Sequence, residues 1–121
     1  MLLINELSNR IGVSIHTIRY YENLGLIQGI KDETVRTNNY KRYDNNVIER
    51  LEIILEAKEV GFTLAEIRKL LESWYNPKSN SQEQIEMFKS KVQEIDIKVK
   101  QLKNIKKKLQ EVIESLGSGN C

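Results

Sequence analysis

Cysteine, histidine, proline and tryptophan each occur once among the 121 residues. A single cysteine, Cys121, excludes an internal disulfide and fits a reducing compartment. One histidine, one cysteine and no glycine-rich phosphate loop leave little from which to build a catalytic centre. No enzyme activity, no cofactor and no metal site is therefore expected. No apolar run approaches the length of a membrane span, and the first residues lack the pattern of a secretion signal. The chain is expected in the cytoplasm, with no membrane partner. Net charge is small too. The formal net charge of +2 is too small to mark a nucleic-acid binder, although basic groups can still be gathered on one face. At 40% hydrophobic the chain can bury a core, and its length allows one or two small domains.

What is present is mostly helical pattern. The stretch Ser14 to Leu26, S-I-H-T-I-R-Y-Y-E-N-L-G-L, opens on a good helix N-cap. Val13 and Ile18 have the spacing of a hydrophobic staple. Ile15, Ile18 and Tyr21 turn inward, leaving His16, Thr17, Arg19 and Tyr20 outward. A short polar, cationic and aromatic face of this kind suits entry into a DNA major groove. Gly25 fits a left-handed helix end. Upstream, Leu3, Ile4, Leu7 and Ile11 have helical spacing and Gly12 closes that helix, so the two helices read as a helix-turn-helix or as part of another bundle.

From Ile27 to Tyr43 the helical period is lost. Short extended pieces around Leu26–Gln28 and Lys41–Tyr43 are expected to pair as a small β-wing. Arg36, Tyr40, Lys41 and Arg42 cluster there, and such groups suit phosphate oxygens, as they also suit a solvated loop. Asp44 caps a helix expected over Asn45 to Val60, with Val47, Ile48, Leu51, Ile54 and Leu55 inward. Thr63 and Glu66 form a capping box and Phe62 and Ile67 a staple, opening a helix that buries Leu64, Ile67, Leu70 and Leu71 and ends near Trp74. Trp74 and Tyr75 are expected to pack back on this domain, residues 1–75. Residues 76–84, with Pro77, read as a linker.

Residues 85–116 read as one long helix. Ile85, Phe88, Val92, Ile95, Val99, Leu102, Lys106, Leu109, Ile113 and Leu116 are spaced alternately by three and four, and all but Lys106 are apolar. A domain of this size cannot hide such a stripe, so Phe88 to Leu116 are expected to form a homodimer seam. Residues 117–121, G-S-G-N-C, read as a flexible tail.

These pieces in this order resemble the MerR family of bacterial transcription regulators. The stretches that carry the resemblance are N-E-L-S-N-R-I-G-V-S, T-I-R-Y-Y-E-N-L-G-L-I, N-Y-K-R-Y-D and A-K-E-V-G-F-T-L-A-E-I. It implies a mainly α fold: a winged helix-turn-helix with a small β-wing and a long dimerisation helix pairing antiparallel with its mate. It implies double-stranded promoter DNA as partner, distorted so that RNA polymerase is served indirectly, with the effector unknown. Ser14, His16, Thr17, Arg19 and Tyr20 fall on the recognition helix, Arg36 and Arg42 on the wing, and Tyr40 and Lys41 on the wing's usual Tyr-Arg pair. Three departures stand out. Asn39 replaces the glycine usual before that tyrosine, and the wing loop is a few residues longer. The places where metal-sensing members carry thiolates at the two ends of the long helix hold Ser81 and Leu116, so no high-affinity metal site is expected. A phage-type excisionase shares the small winged fold but does not need the long seam, and a coiled-coil adaptor leaves the first 75 residues idle.

Overall fold

The computed structural model describes residues 1–31 and 40–119. Its elements in order are α1 (Ile4–Ile11), α2 (Ile15–Asn23), β1 (Ile30–Lys31), β2 (Lys41–Arg42), α3 (Asn45–Glu59), α4 (Leu64–Trp74) and α5 (Ser81–Gly117). They form two compact units, Met1–Ser79 and Asn80–Cys121.

The first unit is built from local signals that agree with its packing. The Ser14 hydroxyl accepts the Thr17 N–H at 3.1 Å, and Asp44 does the same for Val47. Thr63 and Glu66 close a reciprocal capping box, with bonds of 3.2 and 2.8 Å. The inward faces meet in one core in which Leu7, Ile18, Leu51, Ile54 and Ile67 are wholly buried, joined by Tyr21, Leu70 and Leu71. Fully burying each such aliphatic side chain is worth about 1.5–3 kcal/mol. Gly12 takes φ of 82° between α1 and α2, which a side chain would resist. Ser8 reinforces this turn, its hydroxyl donating to the Val13 carbonyl.

The wing forms, but its first strand begins at Ile30, four residues beyond the expected Leu26, while the second begins at Lys41 as expected. Ile30 pairs with Arg42 and Lys31 with Lys41, antiparallel. Leu26 and Ile27 are core residues instead, 2% and 3% exposed. The Leu26 carbonyl accepts from Arg50 Nε at 2.9 Å, which takes it out of any strand ladder. Leu2 adds an isolated bridge to Tyr43, with bonds of 2.8 and 2.7 Å in the two directions.

Smaller departures have simple causes. Helix α3 ends at Glu59, one residue before Val60, which is its C-cap and is exposed. Leu55 and Leu64 are half-buried, and Ala57 takes a core place unassigned from sequence. Tyr75 packs back, with the Arg50 guanidinium 4.8 Å above its ring, but Trp74 remains exposed.

In the second unit, α5 begins at Ser81 rather than Ile85, because the Asn80 side chain caps it by accepting the Gln82 N–H at 3.1 Å. At about 1.5 Å per residue it extends roughly 55 Å. Lys91 is its one buried residue, donating to Glu94 at 2.8 Å. Ile85, Phe88, Val92, Ile95, Val99, Leu102, Leu109, Ile113 and Leu116 are all exposed, as is Lys106.

Candidate nucleic-acid interface

Helix α2 carries the outward face read from the sequence. His16, Arg19 and Tyr20 are exposed, while Thr17 is half-buried and hydrogen-bonded to Ser14 through both its N–H and its hydroxyl. Ser14 is therefore engaged in its cap. Arg19 is exposed and makes no hydrogen bond or ion pair among the described residues, though its charge lies near enough to the Tyr43 phenol to favour that group's ionised form. The Tyr20 ring lies 5.8 Å from that of buried Tyr21, which props it outward.

The wing side is more constrained. Tyr40 is exposed and Arg42 half-buried, while Arg36 and Asn39 lie outside the described residues. Lys41 departs from its expected role as a free phosphate ligand, since its Nζ is 2.7 Å from Glu22 Oε2.

Glu22 is the residue that sequence reasoning missed. It sits on α2 one turn beyond Arg19 and accepts three hydrogen bonds from the wing side. These come from Lys41 Nζ at 2.7 Å, the Tyr43 hydroxyl at 2.7 Å and the Gly29 N–H at 3.3 Å. One carboxylate thus ties the outward helix to both limbs of the wing. Burial works to raise its pKa, but the Lys41, Tyr43 and Gly29 donors outweigh burial and hold it below the ordinary 4.5. Burial first, and then the bond to Glu22, push the Tyr43 phenol above its usual range, so it remains a donor. Gly29 is required by close approach: a Cβ there would lie 2.8 Å from the Tyr43 ring. The one legible signal was that Glu22 is the only acidic residue between Glu6 and Asp32.

The far end of α2 is also tied down. Arg68 donates to the Leu24 carbonyl, and Arg50 to that of Leu26. Two cations from α4 and α3 thus satisfy carbonyls at the negative end of the helix. Between the start of α1, α2 and the wing lies an open cleft of about 570 Å³, lined by Arg19, Asn23, Tyr40 and Lys41 among others. A helix presented at a fixed angle to a basic two-stranded wing is a surface for a groove and its flanking phosphates.

The model of MerR HTH family regulatory proteins matches residues 2–74, and that of the MerR DNA-binding segment matches residues 48–112. The chain belongs to the MerR family. This MerR-family chain is a DNA-binding transcriptional regulator. It is 37% identical over 112 residues to the mercuric resistance operon regulatory protein of Bacillus cereus, covering 92% of this chain and 82% of that one. Among solved structures, it resembles a lead(II)-bound transcription regulator of Ralstonia metallidurans, with TM-score 0.82 and 26% identity, over 95% of this chain and 88% of that one. It shares the fold of HiNmlR, a MerR-family regulator lacking the sensor domain and solved on promoter DNA. There the TM-score is 0.64 and the identity 20%, over 98% of this chain and 90% of that one.

Among the described residues, no group of three His, Cys, Asp or Glu side chains could hold an ion. His16 is exposed on the outward face of α2, and Ser81 and Leu116 at the ends of α5 supply no soft ligand. No helix among the described residues is long and apolar enough to cross a membrane.

Proposed function

We propose that this MerR-family chain acts in the cytoplasm as a homodimer on promoter DNA and performs no catalysis. Helix α2 enters the major groove, with Arg19 and Tyr20 as the principal contacts and His16 and Thr17 tuning base preference. Ser14 and the wing residues Arg36, Tyr40 and Arg42 meet the sugar-phosphate backbone. Lys41 acts mainly by positioning the wing through Glu22. The seam of α5, from Phe88 to Leu116, joins two copies. Residues 1–75 act as the DNA-binding domain, and α5, which begins at Ser81, acts as the dimerisation helix. The single observation that carries this reading is the exposed Arg19–Tyr20 face braced against the wing by the half-buried carboxylate of Glu22.

Each copy would then address one half of a near-palindromic site, with half-site spacing set by the dimer. Distorting the promoter costs several kcal/mol, roughly, which cationic contacts to the backbone help to offset. The effector proposed is not a soft metal ion held by two thiolates of these 121 residues, which carry one cysteine.

Selection of bound duplexes from a random pool tests the reading. A two-fold-related consensus recovered by the wild type, and relaxed at one base position by Arg19→Ala, is the expected result. Recovery of unrelated sequences would sink it. Titration with Hg(II) and Cu(I) under a competing chelator tests the effector statement. A stoichiometric tight site that alters promoter binding would overturn it.

A further inference from the structure

The end of α2 is held from three directions. Gly25 takes φ of 77°, and the Leu26 N–H returns to the Tyr21 carbonyl at 3.0 Å, closing the helix. The Leu26 side chain is buried in the core. Its carbonyl accepts from Arg50 Nε of α3 at 2.9 Å. Leu26 is thus fixed to α2 by its N–H, to the core by its side chain and to α3 by its carbonyl. A few residues on, the Gly29 N–H meets Glu22, so the same short stretch is also the root of the wing.

The Arg50 guanidinium has a second neighbour. Its carbon lies 4.8 Å from the centre of the Tyr75 ring, within cation–π range. Tyr75 is the C-cap of α4, and its N–H donates to the Leu71 carbonyl at 3.0 Å. The residues after it form a braced turn. The Ser79 N–H meets the Asn76 carbonyl at 3.0 Å, and the Lys78 N–H meets the Asn76 side chain at 2.9 Å. The hydroxyls of Ser73 and Ser79 lie 2.9 Å apart. What reads in the sequence as a linker is therefore ordered as far as Ser79, and Asn80 then caps α5. Burial first, and then the Glu49 charge, push the Tyr75 phenol up to about 12. The ring is neutral at physiological pH, and its face is what the cation meets.

We propose that Arg50 is a positioning residue for DNA recognition, coupling the turn after α4 to the root of the recognition helix and wing. The inference rests on α2 as the DNA-reading helix and names how that helix is held to its angle. Arginine suits the task. Its planar fork lets Nε serve one carbonyl while the delocalised cation sits over a ring, and lysine offers only a point charge on a flexible stem. A backbone change at Tyr75 moves the ring, the guanidinium follows it, and the donor to Leu26 shifts. The Leu26 peptide then carries the displacement back to α2 through its N–H and on to the wing through Gly29. A purely structural Arg50 would stabilise the fold without making DNA binding depend on Tyr75. The two roles separate by energetic coupling between Arg50 and Tyr75 in DNA affinity.

The test measures gel-shift affinity of the full chain for the consensus duplex selected from a random pool. Tyr75→Leu should raise the dissociation constant about three- to tenfold, and Arg50→Met about three- to thirtyfold. The double variant should bind within about twofold of Arg50→Met alone, because the ring acts only through the guanidinium. Tyr75→Phe keeps the ring and should restore affinity to within about twofold of wild type. In amide spectra of the isotopically labelled free protein, Tyr75→Leu should move the signals of Ile27 and Gly29 and leave that of Gly12 in place. Unchanged affinity in Tyr75→Leu, additive losses in the double variant, or unmoved Ile27 and Gly29 signals would each overturn the coupling. If Arg50→Met does not fold, the affinity of Tyr75→Leu and its amide spectrum decide by themselves. A wild-type chain that selects no consensus would instead overturn α2 as the DNA-reading helix.

Discussion

The two units of this chain treat their apolar residues in opposite ways. In Met1–Ser79 the periodic positions of α1 to α4 turn on one another, and Leu7, Ile18, Leu51, Ile54 and Ile67 lose all contact with water. In Asn80–Cys121 an equally regular pattern runs along α5, and every apolar residue of the seam remains exposed. Periodicity thus says which face wants burial but not what will bury it. Four short helices can close around a point. One long straight helix cannot fold onto itself, so its stripe needs a second chain.

The contrast is broken most severely by placing charge in the seam. Ile95→Asp or Leu102→Asp would bury an unpaired carboxylate in the dimer, at roughly 3–5 kcal/mol. The expected outcome is a monomer by sedimentation, loss of operator binding in a gel-shift assay, and a first unit whose circular dichroism still shows folded helices. Wild-type dimerisation in both variants would end the seam reading.

Core truncation tests the other side. Leu51→Ala should lower unfolding stability by about 2–5 kcal/mol in denaturant titration, because a wholly buried side chain leaves a cavity. Its effect should not depend on protein concentration, whereas the transition of Leu102→Ala should. If both variants respond alike to dilution, the two units are not energetically distinct in the way their burial suggests.

Glu22 offers a smaller and more informative perturbation. Glu22→Gln keeps the shape but removes the charge that Lys41 and Tyr43 bind, at about 1–2 kcal/mol, since Lys41 is partly solvated. The sign with pH follows from the depressed carboxyl. Its contribution is complete above the ordinary value of 4.5 and is lost as pH falls below it through the folded-state value. Wild type should therefore lose stability across that acidic window, and Glu22→Gln should show a flatter profile there. Identical profiles would remove Glu22 as the brace between helix and wing.

The finest distinction lies between reading and positioning. Arg19→Ala should cost about 1–3 kcal/mol at one base position and spare others. Lys41→Ala should weaken binding to all sequences, tracking the effect of Glu22→Gln, because both release the wing. Lys106→Leu should raise the melting temperature by a few degrees, roughly, with orientation less strictly chosen. Selection and gel-shift series at several salt concentrations separate these outcomes, and a base-specific effect of Lys41→Ala would contradict the positioning role.

Much of this was legible in residues alone, where the information is local. Ser14, Asp44 and Thr63 act as caps because a side-chain oxygen next to a free N–H needs nothing distant. The inward sets of α2 and α4 follow from a period of 3.6. The outward face of His16, Arg19 and Tyr20 is simply what remains. What escaped local reading was set by groups far apart in sequence. The wing begins at Ile30 and not Leu26, because Arg50 from α3 claims the Leu26 carbonyl and the core claims its side chain. Lys41 looks like a free cation in the sequence and is not one, because Glu22, 19 residues away, reaches it. Helix caps and amphipathic faces are determined by neighbours along the chain, so sequence determined them here. Strand register and the partner of a buried charge depend on which distant groups arrive at hydrogen-bonding distance, and only the tertiary structure decided those.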